Sequence, residues 1–394
     1  MSMTAEGKSN VRQRTGRLMR LLKSDLLSDE AYEFVKAALA ILSDQMTTTI
    51  PRELRDPELA KRLIAHAHRL LACDPAKAVS VSLLAVRVAE RAAVSNDNGD
   101  DMIRLQGNAW REHAQALLRR GDYARAADAV GNARMFYALV GSDAVREGAL
   151  LGVISGQVRH YRGESDDGLA EIEAASKTLL YFGGRRIEYL RARITLGTVL
   201  MRREEFREAL AVFGECSELA DELRATELHA YIVNNVGYCA ARLGDFERAE
   251  ECHNMALVMF TELGATSELP RLRGAWVEIL IERGRYAEAI FQLQATKMEY
   301  LELDMPVVAA TFALDIVQLR LRSNKHAGVK QMCVELIDTF TAAGVPREAE
   351  RALQYLFDLA SKGGVRIDDV KYVRQFMDLL AGDDALVFRA PEIA

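Results

Sequence analysis

Few residues in this sequence are spaced for chemistry. His66 and His68 stand two apart, which on a helix points them nearly opposite ways, so one face cannot offer both to a metal. Cys252 and His253 are adjacent within a helical stretch and read as buried core members. The five cysteines, Cys73, Cys216, Cys239, Cys252 and Cys333, are odd in number and lack C-x-x-C spacing, so they are expected to be small buried hydrophobes in a reducing cytosol. Phosphate-loop, H-E-x-x-H, G-x-S-x-G and dinucleotide signatures are all missing. The expectation is a chain that is no enzyme and needs no metal or cofactor.

A column of arginines is more informative. Arg119, Tyr161, Arg202, Arg242, Glu282 and Arg322 each stand two residues ahead of a recurrent turn. An arginine fork suits carboxylates and phosphates. A basic residue in the last turn of a helix is also favoured by the helix dipole alone, by about 0.3 to 1 kcal/mol. Binding face and helix end are therefore both open readings of this column.

The elements that must carry these residues follow from two punctuation series. The first is Gly121-Asp122-Tyr123, Gly163-Glu164-Ser165, Glu204-Glu205-Phe206, Gly244-Asp245-Phe246, Gly284-Arg285-Tyr286 and Asn324-Lys325-His326, at intervals of 42, 41, 40, 40 and 40 residues. The second, Gly141, Gly183, Arg224, Gly264, Asp304 and Gly344, has the same intervals. Between turn and stop run amphipathic helices, with Ala126, Val130 and Ala133, or Ala209, Phe213 and Cys216, on one face. Before each turn lies another helix, as with Leu196 and Leu200 or Ile279 and Leu280. Strand patterning is nearly absent, so the chain is expected to be all-α.

The clearest copy runs from Tyr231 to Leu263. It carries Asn235, Gly237, Gly244, Phe246, Ala249 and Ala256. These small residues, with an aromatic just past a Gly-Asp turn, resemble the tetratricopeptide (TPR) helix-turn-helix repeat, in a lengthened form of about 40 residues like that of bacterial regulatory proteins. The resemblance implies a right-handed α-solenoid of antiparallel helix pairs, with Gly237 where the two backbones approach most closely. It also implies that the first helices face a concave groove. Arg111, Arg119, Tyr161, Arg191, Arg202, Tyr231, Asn234, Asn235, Tyr238, Arg242, Arg271 and Arg322 would line it. Paired asparagines such as Asn234-Asn235 resemble those of peptide-binding repeats.

The function so implied is a non-enzymatic protein- or peptide-binding scaffold or regulator that holds an extended segment of acidic character, or a helix. The alternative is a peptide-sensing regulator similar to the Rap-like quorum-sensing receptors, in which ligand capture changes partner binding. An enzyme with loop-borne catalytic residues is a third class, without a motif in its favour.

Residues 1–10 are polar and expected to be disordered. Residues 11–50 read as a helical extension whose first helix carries Arg12, Arg14, Arg17, Arg20 and Lys23; it packs on the next helix with its charges in water, lies on an anionic membrane surface or docks on an acidic partner. The solenoid is expected over residues 56–382 as one body, followed by a tail at 383–394. A net charge of -6 gives no global attraction for nucleic acid. No apolar run is long enough for a membrane span, so a soluble cytoplasmic protein is expected.

Overall fold

The computed structural model describes residues 56–71, 74–95, 99–181, 186–265, 268–302, 306–323, 328–342, 347–380 and 387–391. Expectations for residues 1–50, Cys73, Gly183, Asp304, Asn324 to His326 and Gly344 lie outside them. Among the described residues there is no strand. The chain divides within a helix into two units, Met1–Ile232 and Val233–Ala394.

In the first unit, Asp56 and Asp74 each precede a proline and cap a helix. Asp56 accepts from the Glu58 amide and Asp74 from the Lys77 amide, both at 2.9 Å, and Pro at the first helical position removes a donor that had no partner. These helices are α1 (Pro57–Leu70) and α2 (Pro75–Ser95). There follow α3 (Asp100–Arg120), α4 (Tyr123–Val140), α5 (Val145–Tyr161), α6 (Ser165–Tyr181), α7 (Arg186–Arg202) and α8 (Phe206–Glu222). The division falls inside α9 (Thr226–Arg242).

The second unit continues through α10 (Phe246–Glu262), α11 (Leu269–Glu282), α12 (Tyr286–Glu302), α13 (Pro306–Arg322), α14 (Val329–Ala342), α15 (Arg347–Ser361) and α16 (Ile367–Leu380). Phe388, from the C-terminal stretch, packs against Tyr355, Tyr372 and Phe376. The Tyr372 hydroxyl donates to the Arg389 carbonyl at 2.8 Å.

The 40-residue period has a simple origin. From α7 to α10 each helix is 17 residues long, and three residues connect each to the next. Each turn closes with the same backbone bond: the Asp122 amide to Leu117, Glu164 to Arg159, Glu205 to Leu200, Asp245 to Ala240 and Arg285 to Leu280, at 2.8 to 3.0 Å. That bond requires a left-handed residue just past the helix. Gly121 (φ 86°) and Gly244 (φ 89°) supply it. Where the sequence has Glu204 and Arg224 instead, the backbone still goes left-handed, at φ 64° and 52°.

Packing follows the same register. Ala126, Ala209, Ala249 and Ala289 are fully buried. In the first unit, Gly156 sits against Ile172 and Gly197 against Phe213. A Cβ on either glycine would come within 2.5 Å of Ile172 Cγ1 or 2.7 Å of Phe213 Cε1. Phe213 is completely buried, and truncating such a ring to alanine costs about 3 to 5 kcal/mol. Antiparallel helix pairs with glycine or alanine at the contact are what the sequence pattern predicts. Trp276 is buried, whereas Trp110 is half-buried against its neighbours.

Candidate binding face

The column lies on the first helix of each pair, and the two units are taken separately. In the first unit, Arg119 stands in the last turn of α3 and Arg202 ends α7. Between them in the register is Tyr161, at the end of α5, whose ring stacks parallel on Tyr123 with centroids 4.5 Å apart and planes 1° from parallel. Arg202 places its guanidinium carbon 5.3 Å from the centroid of the Tyr161 ring, a cation–π distance. Burial pushes the Tyr161 pKa up, while Arg202 and Arg119 pull it down. Both arginines are therefore within electrostatic reach of this ring. Tyr123 stands in the turn series, yet spacing alone does not show that it meets Tyr161.

Arg119, Arg191 and Arg202 are exposed, and none of them pairs with a carboxylate among the described residues. The contrast with adjacent arginines is sharp. Arg203, next to Arg202, pairs with Asp166 at 2.6 Å and Glu205 at 2.7 Å; Arg134 pairs with Glu171 at 2.7 Å; Arg146 pairs with Glu188. Paired arginines are largely self-neutralised, whereas the three exposed ones keep their donor forks for solvent or a ligand.

Deeper on the same helices, Arg111 lies beside Tyr137, hydrogen-bonding its oxygen. The Tyr137 hydroxyl donates to Asn108 Oδ1 at 2.9 Å, and burial pushes its pKa up to about 12. Its ring fills the space over Gly107, 2.6 Å from where a Cβ would be. His68 meets the buried Glu112 at 3.2 Å. That hydrogen bond raises the His68 pKa, against burial and the charges of Arg191 and Arg111. His66 is buried while His68 is half-exposed, so the two diverge as their spacing predicts. Tyr231, half-buried on α9, is the last of the groove candidates in this unit.

In the second unit, Asn234 is buried, and Asn235 and Tyr238 are half-buried on α9. The Asn234 amide nitrogen donates to Asn235 Oδ1 at 3.4 Å. Arg242 is paired with Glu282 at 2.5 Å, so two column members in successive copies bind each other. Arg322 is exposed at the end of α13. Arg271 falls on α11, but its side chain is outside what is described.

His253 and the cysteines belong to the interior. His253 is buried, stacked on Trp276 with centroids 4.9 Å apart, and burial lowers its pKa to about 4. Burial raises the thiols of Cys216 and Cys239 to about 12 and that of Cys333 to about 11, which leaves them protonated and unreactive. Cys252 is half-buried, and its pKa is likewise raised by burial. No group of three or more metal-ligating side chains occurs among the described residues, and none of the described helices is long and apolar enough to cross a membrane. A cavity of about 290 Å³ lies between α7 and α8. Both of its arginines are already matched, Arg186 to Glu222 at 2.8 Å and Arg193 to Glu215 at 2.5 Å.

No protein-family model matches the chain, and no curated protein matches it. Solved structures do. The apo form of RapI is similar over 96% of this chain and 99% of its own, with 13% identity and a TM-score of 0.51. A Rap protein complexed with Competence and Sporulation Factor is similar over 94% and 99%, with 14% identity and a TM-score of 0.48. A signal-transduction ATPase with a tetratricopeptide repeat sensor from Pyrococcus horikoshii is similar over 89% of this chain and 52% of its own, with 13% identity and a TM-score of 0.49. Identities this low speak of fold alone. With its paired helices, its recurrent turns and its likeness to RapI, the chain has the fold of a TPR-like helical-repeat protein.

Proposed function

We propose that this chain is a non-enzymatic, cytoplasmic regulator that binds an acidic protein segment or peptide on the exposed face of its first helices. One observation carries the reading: Arg119 and Arg202, with the Tyr123–Tyr161 stack between them in register, are exposed and have no carboxylate partner among the described residues. Arginine forks bind carboxylates through two parallel hydrogen bonds, and tyrosine rings offer rigid amphipathic area of the kind interfaces favour. Nucleic acid is the weaker ligand class for a chain of net charge -6.

An array of twelve-residue peptides graded from acidic to basic tests this. Acidic peptides are expected to be retained at low salt and released as salt rises, since exposed charge pairs are screened. Equal retention of acidic and basic peptides, or retention of none, would contradict the reading.

A narrower form of the same reading is a switch, in which the captured peptide changes how the chain binds a second protein. Amide hydrogen exchange with and without an array-selected peptide separates the two. Protection confined to the contact residues means a scaffold, and protection spread along the helices means a switch.

A further inference from the structure

In three successive copies of the repeat, a first-helix glycine faces the second helix in the same register. At Gly156 and Gly197 the space left by the missing side chain is taken up by Ile172 and Phe213. The residue in that position opposite Gly237 is His253, but its ring is not what packs on the glycine. Around a Cβ on Gly237 the nearest atoms would be Cys252 Cβ at 2.8 Å, the Ala249 carbonyl at 3.3 Å and the His253 backbone nitrogen at 3.7 Å. The imidazole has turned aside to stack on Trp276, with the planes 12° apart.

A narrow slot lies beside this ring, between α9 and α11 in the second unit. Asn234, Tyr238, Trp276 and Ile279 form its walls, and Ala249 and His253 line it from α10. Its free space of about 10 Å³ admits one group the size of a water or a hydroxyl. Two polar side chains there have unused capacity. His253 is only 6% exposed, and its Nε2 makes no hydrogen bond among the described residues. Asn234 is 9% exposed and makes one long hydrogen bond, to Asn235.

We infer that this slot is a binding subsite for a single hydroxyl, that of a serine or threonine in a segment lying on the first-helix face, with His253 Nε2 and the Asn234 amide as its hydrogen-bond partners. The inference rests on the peptide-binding reading, applied to the second unit by itself, and gives that unit's first helices a specificity determinant of their own. Size excludes a carboxylate or an aromatic ring. A methyl group would fit but would leave the buried Nε2 unpaired, which is unfavourable. An ammonium group would be stripped of its water in a slot whose walls carry no carboxylate. A hydroxyl both donates and accepts, so it satisfies the imidazole in either tautomer. Burial, which lowers the His253 pKa to about 4, keeps the ring neutral at pH 7.

The test uses the full chain labelled with ¹⁵N-histidine and titrated with N-acetyl-serinamide or N-acetyl-alaninamide, following the imidazole nitrogens by NMR. The expected result is a saturable shift of His253 Nε2 with the serine compound, at least several-fold weaker with the alanine compound and weakened likewise in Asn234→Ala. His253→Phe installs the residue found opposite Gly197, so it should fold; with no imidazole left there to report, the serine compound's own saturation-transfer signal is followed in that variant and should be lost. No shift, or the same shift with both compounds, would mean that the slot holds water alone and would overturn the inference. The peptide array depends on the arginines, so either experiment can fail without the other.

Discussion

A Cβ on Gly237 would lie 2.8 Å from the Cβ of Cys252 and 3.3 Å from the Ala249 carbonyl. Neither neighbour can swing away as a long side chain could, so the helix pair itself must separate to admit a larger residue. Gly237→Leu is expected to lower stability by about 3 kcal/mol, the upper end of typical overpacking losses. A chemical denaturation midpoint equal to the parent's would contradict the close contact.

Glu204 and Arg224 are expected to be sites where glycine stabilises. Both are exposed and left-handed, a conformation that costs an L-residue about 1 to 2 kcal/mol. Glycine removes that strain but gives part of it back through its freer unfolded state. Glu204→Gly and Arg224→Gly should each raise stability by about 0.5 to 1 kcal/mol, read as a higher denaturation midpoint. A lower midpoint would mean that these side chains support the turns in some other way.

Acid is expected to destabilise the fold through two buried histidines. His113 and His253 have pKa values lowered to about 4, first by burial and then by the charges of Arg125 and Arg273 respectively. Unfolded, each returns to about 6.5. Between pH 6.5 and 4 the unfolded chain binds protons that the folded chain does not, so stability falls as pH is lowered through that window. Each group contributes up to about 3 kcal/mol.

His68 acts in the opposite sense. Its pKa is raised by Glu112, so its stabilisation is complete below about pH 6.5 and fades as pH rises through the raised value. Being half-exposed, it contributes little. Denaturation midpoints from pH 7 to 4 should fall less steeply in His253→Phe than in the parent. Identical profiles would contradict a neutral, buried His253.

The turns were legible in the sequence because a left-handed helix stop strongly prefers glycine, and six copies repeat the spacing. The Ala249 and Gly237 contacts were legible for a related reason, since close backbone approach admits only small side chains. Even the copies that lack glycine, at Glu204 and Arg224, keep their place in the register. The binding face was only partly legible. Spacing places Arg119, Arg202 and Arg242 in one column, but it does not say that Glu282 neutralises Arg242 while Arg202 lies over Tyr161. Those outcomes depend on side-chain rotamers and on residues about 40 positions away. The turn of His253 towards Trp276 is likewise a rotamer choice, invisible in a register that otherwise reads as core.

Arg119 and Arg202 are proposed to bind an acidic segment and not merely to finish their helices. The most direct measurement is the affinity of the tightest array-selected acidic peptide for the parent and for Arg119→Ala and Arg202→Ala, with the thermal midpoint taken on the same samples. Losing one desolvated charge-assisted contact costs about 2 to 5 kcal/mol of affinity, while an exposed substitution changes stability by no more than about 0.5 kcal/mol. Binding is expected to weaken by at least tenfold in each variant, with the midpoint nearly unchanged and Glu250→Lys as a control that binds like the parent. Variants that bind as tightly as the parent would show that these arginines serve the helix ends alone and hold no acidic segment.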